Sequence, residues 1–466
     1  MTSRNAALAA LLLPISPIAA QPRKAAKVKP PTQLSVPVEY FKLGNGLRVV
    51  LSRDTTAPTV GVGVYYRVGF RTEPRDRTGF AHLFEHLMFQ GSKSLPKGEF
   101  DKLIEHNGGF NNGSTRFDFT NYYEVMPAHT LESVLWAEAD RMRAPAFGQA
   151  GVDNQRDVVK NEVRVNVKNQ PYGGFPWIDL PMAANTNWTN AHDFYGEFKD
   201  LDAATLANAR AFFDAFYAPN NAVLAVVGDF APKQARAWIQ KYFGAIPSAK
   251  APPRVDVEEP RQTAERHATR VDSLANRPAL GLAYHVPPRW SAEWYAFGLL
   301  DQILVQGRDS RLFDKLVQQA SLTGEVTGGI NALGNQFNYQ GPMLWLVSAF
   351  HDSDKPASAL LAAIDEEVDA LIAKPVDAAT LARAKTKMRS QLYGVMDEQL
   401  GLGRLDVLAS LALFDDDPAR INKLEAGFAS VTADLIQKTA REYLRRDNRT
   451  VYTITPGAKA APGGGR

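Results

Sequence analysis

Three residues close together in the sequence, His82, Glu85 and His86, have the types and spacing needed to hold and use a metal ion. On a helix, positions i, i+3 and i+4 share one face, so the two imidazoles could bind one zinc ion with Glu85 beside it. Zinc lowers the pKa of its bound water to about 7. Glu85 would accept a proton from this water as it attacks a peptide carbonyl, and would pass the proton to the leaving amine. The alternative is a surface helix with two solvated histidines, or a hydrogen-bonded pair in the core.

A third ligand is expected, because zinc in catalytic sites usually has three protein ligands. The chain has no cysteine, so this ligand must be a histidine or a carboxylate. The acidic candidates downstream are Glu124, Glu138, Asp140, Asp157 and Glu162. Glu162 is attractive because it shares a helical stripe with Gln155, Val159 and Asn166, although spacing alone does not exclude an ordinary solvated glutamate. His106 and His129 lie next to loop signals, which favour surface positions.

The composition is that of an ordinary globular protein. The 466 residues suggest two to four domains. Hydrophobic residues make up 45% and charged residues 22% of the chain, and the net charge of +3 is dispersed. No Lys/Arg-rich block is interleaved with aromatic residues, so we predict no nucleic-acid binding.

The N-terminus has the pattern of a secretory signal peptide. Arg4 precedes an apolar run over residues 6–20 that ends in small residues, and a polar basic segment follows at 21–33. We therefore expect the chain to be exported to the periplasm, with a mature start near Gln21. A disordered Ala-rich tail is the alternative. The run is too short and too broken by proline to span a bilayer, and no other stretch is long enough.

The first half, residues 34–247, alternates strand and helix patterns. A hairpin is predicted around Asn45-Gly46, and strands at 59–68, 118–126 and 221–228. Helices are predicted at 79–90, 98–107, 130–143, 152–168, 203–216 and 232–243.

A Pro-rich polar linker is predicted at 248–262, and a second half, 263–456, repeats the pattern before a short tail at 457–466. Its strands are expected near 268–285 and 324–350, with helices at 291–306, 355–373 and 377–396. Both halves end in a helix, a Tyr, an Asn and an apolar strand. These features indicate a duplicated α+β domain.

The motifs resemble the M16 family of inverzincin metallopeptidases, in its processing-peptidase-like branch. His82 to His86 is followed by Phe89 and Gly91-Ser92, and Asn161-Glu162 lies 76 positions after His86. Two further family segments appear at residues 108–115 and 118–122.

The resemblance implies that His82, His86 and Glu162 bind one zinc ion per chain, with Glu85 as the base. It also implies that Asn112 and Phe89 contact the substrate, a peptide or an unstructured polypeptide. The expected fold is two homologous domains, each a mainly antiparallel sheet packed with helices. Two such chains would face each other around a closed chamber.

Two departures from the family pattern stand out. Gln155 occupies a position that is often glutamate, so it can hydrogen-bond near the ligands but adds no charge there. Val317 and Gly324 stand where many members have an Arg and a Tyr. We therefore expect a heterodimer with a homologous chain that lacks the zinc motif, with a homodimer as the alternative.

A non-catalytic scaffold subunit is the alternative function. No motif in the sequence supports a third function, that of a different metallohydrolase on this fold.

Overall fold

The computed structural model describes residues 34–457, whose strands form two sheets. The first sheet has the order β1-β2-β6-β3-β5-β4, and its strands are β1 (Glu39–Lys42), β2 (Arg48–Arg53), β3 (Thr59–Tyr66), β4 (Phe110–Thr115), β5 (Thr120–Pro127) and β6 (Ala222–Gly228). The second has the order β7-β11-β8-β10-β9, and its strands are β7 (Arg266–Asp272), β8 (Ala279–His285), β9 (Thr327–Ile330), β10 (Leu344–Phe350) and β11 (Arg449–Pro456).

The second sheet repeats the topology of the first, apart from β1. β2 pairs with β6 in parallel, as β7 pairs with β11. The remaining pairs are antiparallel in both sheets. The same chain order of five strands therefore produces the same sheet twice, which confirms the predicted α+β fold with two homologous halves.

Helices cover these sheets. Those of the first half are α1 (Phe80–Leu87), α2 (Glu99–His106), α3 (Leu131–Arg143), α4 (Gln149–Val163), α5 (Asp179–Ala184), α6 (Trp188–Ala191), α7 (Phe198–Asp202), α8 (Leu206–Phe216) and α9 (Pro232–Phe243). Those of the second half are α10 (Ala292–Leu304), α11 (Arg311–Phe313), α12 (Ala357–Ala373), α13 (Ala378–Asp397), α14 (Leu402–Asp415), α15 (Ile421–Ala429) and α16 (Ala433–Tyr443). π-helical turns at Arg164–Lys168 and Asp314–Gln319 extend α4 and α11.

The two halves exchange helices. Helix α14, from the second half, packs on β3 and β6 of the first sheet. A Cβ atom at Gly63 would lie 2.6 Å from Leu405 of α14, so the glycine allows the close approach. Helix α5, from the first half, packs on β8 and β11 of the second sheet. There a Cβ atom at Gly281 would lie 2.7 Å from Phe175 and 2.9 Å from Leu180.

Most predicted elements are confirmed within a few residues at each end, including the hairpin of β1 and β2 and the six helices that the sequence predicted for the first half, which are α1, α2, α3, α4, α8 and α9. The sequence did not predict β4 or the helices α5, α6, α7, α11, α14 and α15. The strands of the two sheets lie on either side of the predicted linker, 248–262, in the chain. Helices α5 and α14, however, each pack on the sheet of the other half. The domain boundary at 248–262 therefore stays a prediction. The predicted signal peptide (1–20) and basic segment (21–33) lie outside the described residues, as does all but the first residue of the tail (457–466). Within 34–457, no helix is both long enough and apolar enough to cross a membrane.

Candidate active site

Helix α1 presents His82, Glu85 and His86 on one face and buries the other. Its apolar side chains, among them Leu83 and Phe84, are fully buried in the core of the first half. This packing fixes the rotation of the helix about its axis. The three polar side chains are consequently aimed away from the core and toward α4 and β4, which both contact α1.

The start of α1 is held by a buried carboxylate. Glu73 accepts hydrogen bonds from the backbone N–H groups of Gly79 (2.8 Å) and Ala81 (2.6 Å), which have no partner within the helix. The Nε2 atom of His192 lies 3.6 Å from Glu73. A Cβ atom on Gly196 would lie 2.2 Å from the Gly79 nitrogen, so the loop around residue 196 is pressed against the same turn. These contacts set the position of the helix that carries the histidines.

Helix α4 brings Glu162 to the two histidines. Oε1 of Glu162 is 3.7 Å from Nε2 of His82, and Oε2 is 3.1 Å from Nε2 of His86. One ligand atom from each of the three residues lies within 4.8 Å of the others. Two imidazole nitrogens and one carboxylate oxygen are the donor set of several catalytic zinc sites, so the residues fit a zinc ion. Gln155, two turns earlier on α4, is buried, and its Nε2 atom donates a hydrogen bond of 2.9 Å to Oδ1 of Asn154.

The other acidic candidates are engaged or exposed elsewhere. Glu124 and Glu138 are buried and both pair with Arg141. Asp140 accepts hydrogen bonds from the side chains of Ser92 and Ser94. The Asp157 side chain is 71% exposed, and His106 and His129 are exposed. In residues 34–457, the one cluster suited to a metal is the group formed by His82, His86 and Glu162.

The ionisation of the cluster follows from burial and from the mutual charges. Burial, and then the charge of His86, lower the pKa of His82 to about 4. Burial alone would lower the pKa of His86, but its hydrogen bond with Glu162 and the charge of Glu85 outweigh it and raise that pKa. The hydrogen bond with His86 lowers the pKa of Glu162. His82 and Glu162 are thereby held in the neutral and ionised forms that a metal ion requires.

Glu85 lies between the cluster and the edge of the first sheet. Its Oε2 atom accepts a hydrogen bond of 2.8 Å from the Thr115 hydroxyl of β4. Burial raises the pKa of Glu85, against the effect of that hydrogen bond. A raised pKa makes the carboxylate a better proton acceptor at neutral pH.

Strand β4 is the edge strand beside Glu85. Asn112 on this strand is exposed, and its side-chain oxygen accepts a hydrogen bond from the Gly113 N–H. Phe89 is half-buried and packs against Tyr122 and Arg141. A Cβ atom on Gly113 would lie 3.1 Å from both Glu85 and Phe89, so the strand approaches the helix closely.

Tyr195 is a residue at this site that the sequence did not single out. Its ring centroid lies 5.1 Å from that of His82. Burial, followed by the charges of Glu162 and Glu85, raises its pKa to about 12, so the hydroxyl remains a proton donor at neutral pH. The one sequence signal near Tyr195 is the neighbouring Gly196, which could indicate a loop of fixed conformation. Glycines are too common in loops for this signal to identify a site residue.

Two family models match the chain, and the second match begins within the first half and continues into the second. Residues 48–173 match the model described as Insulinase (Peptidase family M16), and residues 203–388 match the one described as Peptidase M16 inactive domain. The chain belongs to the M16 peptidase family. Glu85 and the three cluster residues fall within the first of these M16 matches, whereas Tyr195 lies between the two.

Individual M16 relatives cover nearly the whole chain. The zinc protease PqqE of Helicobacter pylori is 26% identical over 426 residues, which are 90% of this chain and 93% of that one. The crystal structure of a protease from Helicobacter pylori superposes with a TM-score of 0.83 at 26% identity, over 90% of this chain and all of that one. The periplasmic protease PqqL from Escherichia coli has the same fold, with a TM-score of 0.72 at 20% identity over 91% of this chain and 48% of that one.

Proposed function

We propose that the protein is a zinc-dependent endopeptidase that cleaves peptides or unstructured polypeptides. The observation that carries the proposal is the convergence of His82, His86 and Glu162 next to Glu85. The similarity to PqqE, which is named a zinc protease, supports it.

Each residue has a role that follows from its position. His82, His86 and Glu162 would hold one zinc ion, which supplies Lewis acidity to a peptide carbonyl and to water. Glu85 would accept the proton of the attacking water and deliver it to the leaving amine. The Tyr195 hydroxyl would donate a hydrogen bond to the negative charge that develops on the carbonyl oxygen.

The edge strand gives the substrate a binding mode. The outer edge of β4 has no neighbouring strand among residues 34–457, so its backbone can pair with an extended peptide. Such a peptide would run past Glu85, which contacts β4 through Thr115. The exposed Asn112 side chain could then hydrogen-bond to the peptide backbone, and Phe89 would form part of the floor.

A scaffold subunit without catalysis is the second candidate function. The family model named as an inactive domain favours it, but that match covers residues 203–388 and none of the candidate site. Zinc content and turnover separate the two functions, because a scaffold needs neither.

The test measures zinc by elemental analysis and cleavage of an unstructured peptide with a quenched fluorophore. We expect about one zinc per chain and measurable cleavage. Glu85→Gln should keep the zinc and lower kcat by about 100- to 10,000-fold, since it removes only the base. Tyr195→Phe should keep the zinc and lower kcat by about 100-fold, the usual effect of losing one oxyanion donor.

The matched control is Glu105→Gln, because Glu105 is an exposed glutamate on α2, and it should change neither quantity. If Glu85→Gln turns over peptide at the wild-type rate, the assignment of the base is wrong. A chain that binds no zinc and cleaves nothing would support the scaffold instead.

We also propose that the chain is exported to the periplasm. The pattern of residues 4–20 supports this, as does the fold shared with PqqL, which is named a periplasmic protease. N-terminal sequencing of the native protein checks it, and an intact Met1 in cytosolic protein would contradict it.

A further inference from the structure

A large cavity lies away from the metal cluster, where β2 begins and β3 ends. Its volume is about 1250 Å³, and part of its wall is formed by the segment 251–262 that joins the two halves. None of the residues of the candidate active site lines it. Its wall is rich in arginine, and three of these side chains have no acidic partner.

The three arginines are Arg48, Arg67 and Arg254. The guanidinium of Arg48 donates only to backbone carbonyls, those of residues 222, 412 and 413. That of Arg67 donates to the side-chain oxygen of Gln340 at 2.6 Å. Arg254, in the joining segment, is exposed and forms no ion pair with any residue in the range 34–457. All three positive charges are therefore uncompensated by a carboxylate within 4 Å.

The remaining cations on the wall are already neutralised. These pairs are Lys42 with Asp416, Arg71 with Asp118, Arg261 with Glu442, Arg289 with Asp415 and Arg445 with Asp447.

The wall carboxylates form no ion pair with the three arginines, and Asp118 and Asp416 act on Arg67 and Arg48 only from a distance of more than 4 Å. Asp118 also accepts the backbone N–H groups of Gln340 and Gly341. Glu259 accepts hydrogen bonds from Thr186 and Asn190. Glu258 is exposed to solvent.

The uncompensated charges act on one another. Burial lowers the pKa of Arg48; the charge of Arg67 contributes to that decrease, while the charges of Tyr40 and Asp416 act against it. Burial likewise lowers the pKa of Arg67; the charge of Asp118 acts against this decrease, and the charge of Arg254 adds to it. Guanidinium groups still remain protonated at neutral pH, so the repulsion persists in the folded chain. An anion between them would relieve it.

We propose that this cavity is a binding site for a small polyanion, held by the guanidinium groups of Arg48, Arg67 and Arg254. Guanidinium groups bind phosphate and carboxylate oxygens in a bidentate manner, so the ligand carries two or more groups of either kind. The cavity exceeds the usual volume of a small-ligand site, about 300–1,000 Å³, so such a ligand fits without rearrangement. Bound there, it would tie the joining segment to the first sheet through Arg254.

The test is calorimetric titration of the full chain with pyrophosphate and, separately, with citrate, at constant ionic strength. We expect saturable binding of at least one of them, and the one that binds identifies phosphate or carboxylate as the recognised group. Arg67→Gln and Arg48→Gln should each weaken that binding at least about tenfold, the usual effect of losing a charge-assisted hydrogen bond.

The matched control is Arg383→Gln, because Arg383 is 55% exposed and belongs to another part of the surface. It should leave the affinity unchanged. Both anions also chelate metal ions, but a signal from the metal cluster would be unaffected by the substitutions at Arg48 and Arg67. Absence of binding by both anions, or binding that survives both substitutions, overturns the proposal.

Discussion

Glu162 and Asp157 lie five residues apart on the same helix, yet their surroundings differ completely. Both Glu162 oxygens face histidine nitrogens, and the side chain is 29% exposed. The Asp157 side chain is 71% exposed and lies 3.6 Å from Arg156. Their roles can therefore be separated by matched substitutions on one helix.

Glu162→Gln should weaken zinc binding strongly, because the amide is a neutral and poorer ligand than the carboxylate. Asp157→Asn should leave zinc affinity unchanged. Competition with a fluorescent zinc chelator measures both. Equal affinity in the two variants would move the third ligand elsewhere, and circular dichroism shows whether either variant has lost its fold.

The sequence revealed elements whose residue types recur with a clear period, although β3 itself is buried on both faces. Helix α1 could be predicted because its polar residues recur at i, i+3 and i+4, and β3 because its residues alternate. Strand β4 was missed because it is an edge strand of Asn, Gly and Ser, which have low strand propensity. Helix α14 was missed because it is buried on nearly all sides and so lacks a helical period.

The sequence predicted the residues of the candidate site in more detail than the elements that surround it. The spacing of His82, Glu85 and His86 is local, and a helix converts it directly into a shared face. From spacing alone Glu162 was one of five acidic candidates; the family resemblance selected it, and the packing of α4 on α1 brings it to the histidines. Tyr195 and Glu73 contribute through tertiary contacts, which no local pattern encodes.

Helix α10 contains a carboxyl group, that of Asp301, whose buried surroundings disfavour its ionised form. Asp301 is fully enclosed, and Trp345 donates a hydrogen bond of 2.7 Å to its Oδ1 atom. Burial raises the pKa of Asp301 to about 6 from the ordinary 3.8. A raised carboxyl pKa means that the native state binds the proton more tightly than the unfolded chain does. Its contribution to stability is thus present below about pH 3.8 and is lost as the pH rises toward 6.

Asp301→Asn should therefore stabilise the protein at neutral pH, since the amide stays uncharged and keeps an acceptor for Trp345. Linkage between those two pKa values predicts that the stability gain grows by about 2 kcal/mol from pH 4.5 to pH 7.5. Urea denaturation at the two pH values measures it. Asp354→Asn, at an exposed site, should show no such trend. A gain that is the same at both pH values would show that Asp301 is not the group that titrates.

At the scale of the whole molecule, the two halves share a topology but not a chemistry. Within residues 34–457, the metal cluster belongs to the first half alone. In the second half, Val317 is half-buried and Gly324 takes the place of a family tyrosine. A Cβ atom at Gly324 would meet no other atom within 4 Å. The surrounding packing therefore leaves room for a larger side chain there.

This arrangement leads to the prediction that the chain works with a homologous partner. In the family members that it resembles, the Arg and Tyr at these positions help to hold substrate. A partner lacking the zinc motif but carrying both residues would complete the chamber. The isolated chain should then cleave peptide weakly, and adding the partner should raise kcat/KM at least about tenfold, which corresponds to about 1.4 kcal/mol of transition-state binding.

A double variant, Val317→Arg with Gly324→Tyr, tests whether the missing Arg and Tyr are the reason for the weak activity expected of the isolated chain. Because Gly324 has open space around it, the new tyrosine should be accommodated, and the variant alone should recover part of the activity that the partner supplies. The matched control places a tyrosine at Gly394, which also has open space around it but lies on α13, and should recover none. Sedimentation analysis of the chain with and without its partner distinguishes a heterodimer from the homodimer alternative. Full activity of the lone wild-type chain, unchanged by the partner, would refute the division of labour, because substrate binding would then be complete within one kind of chain.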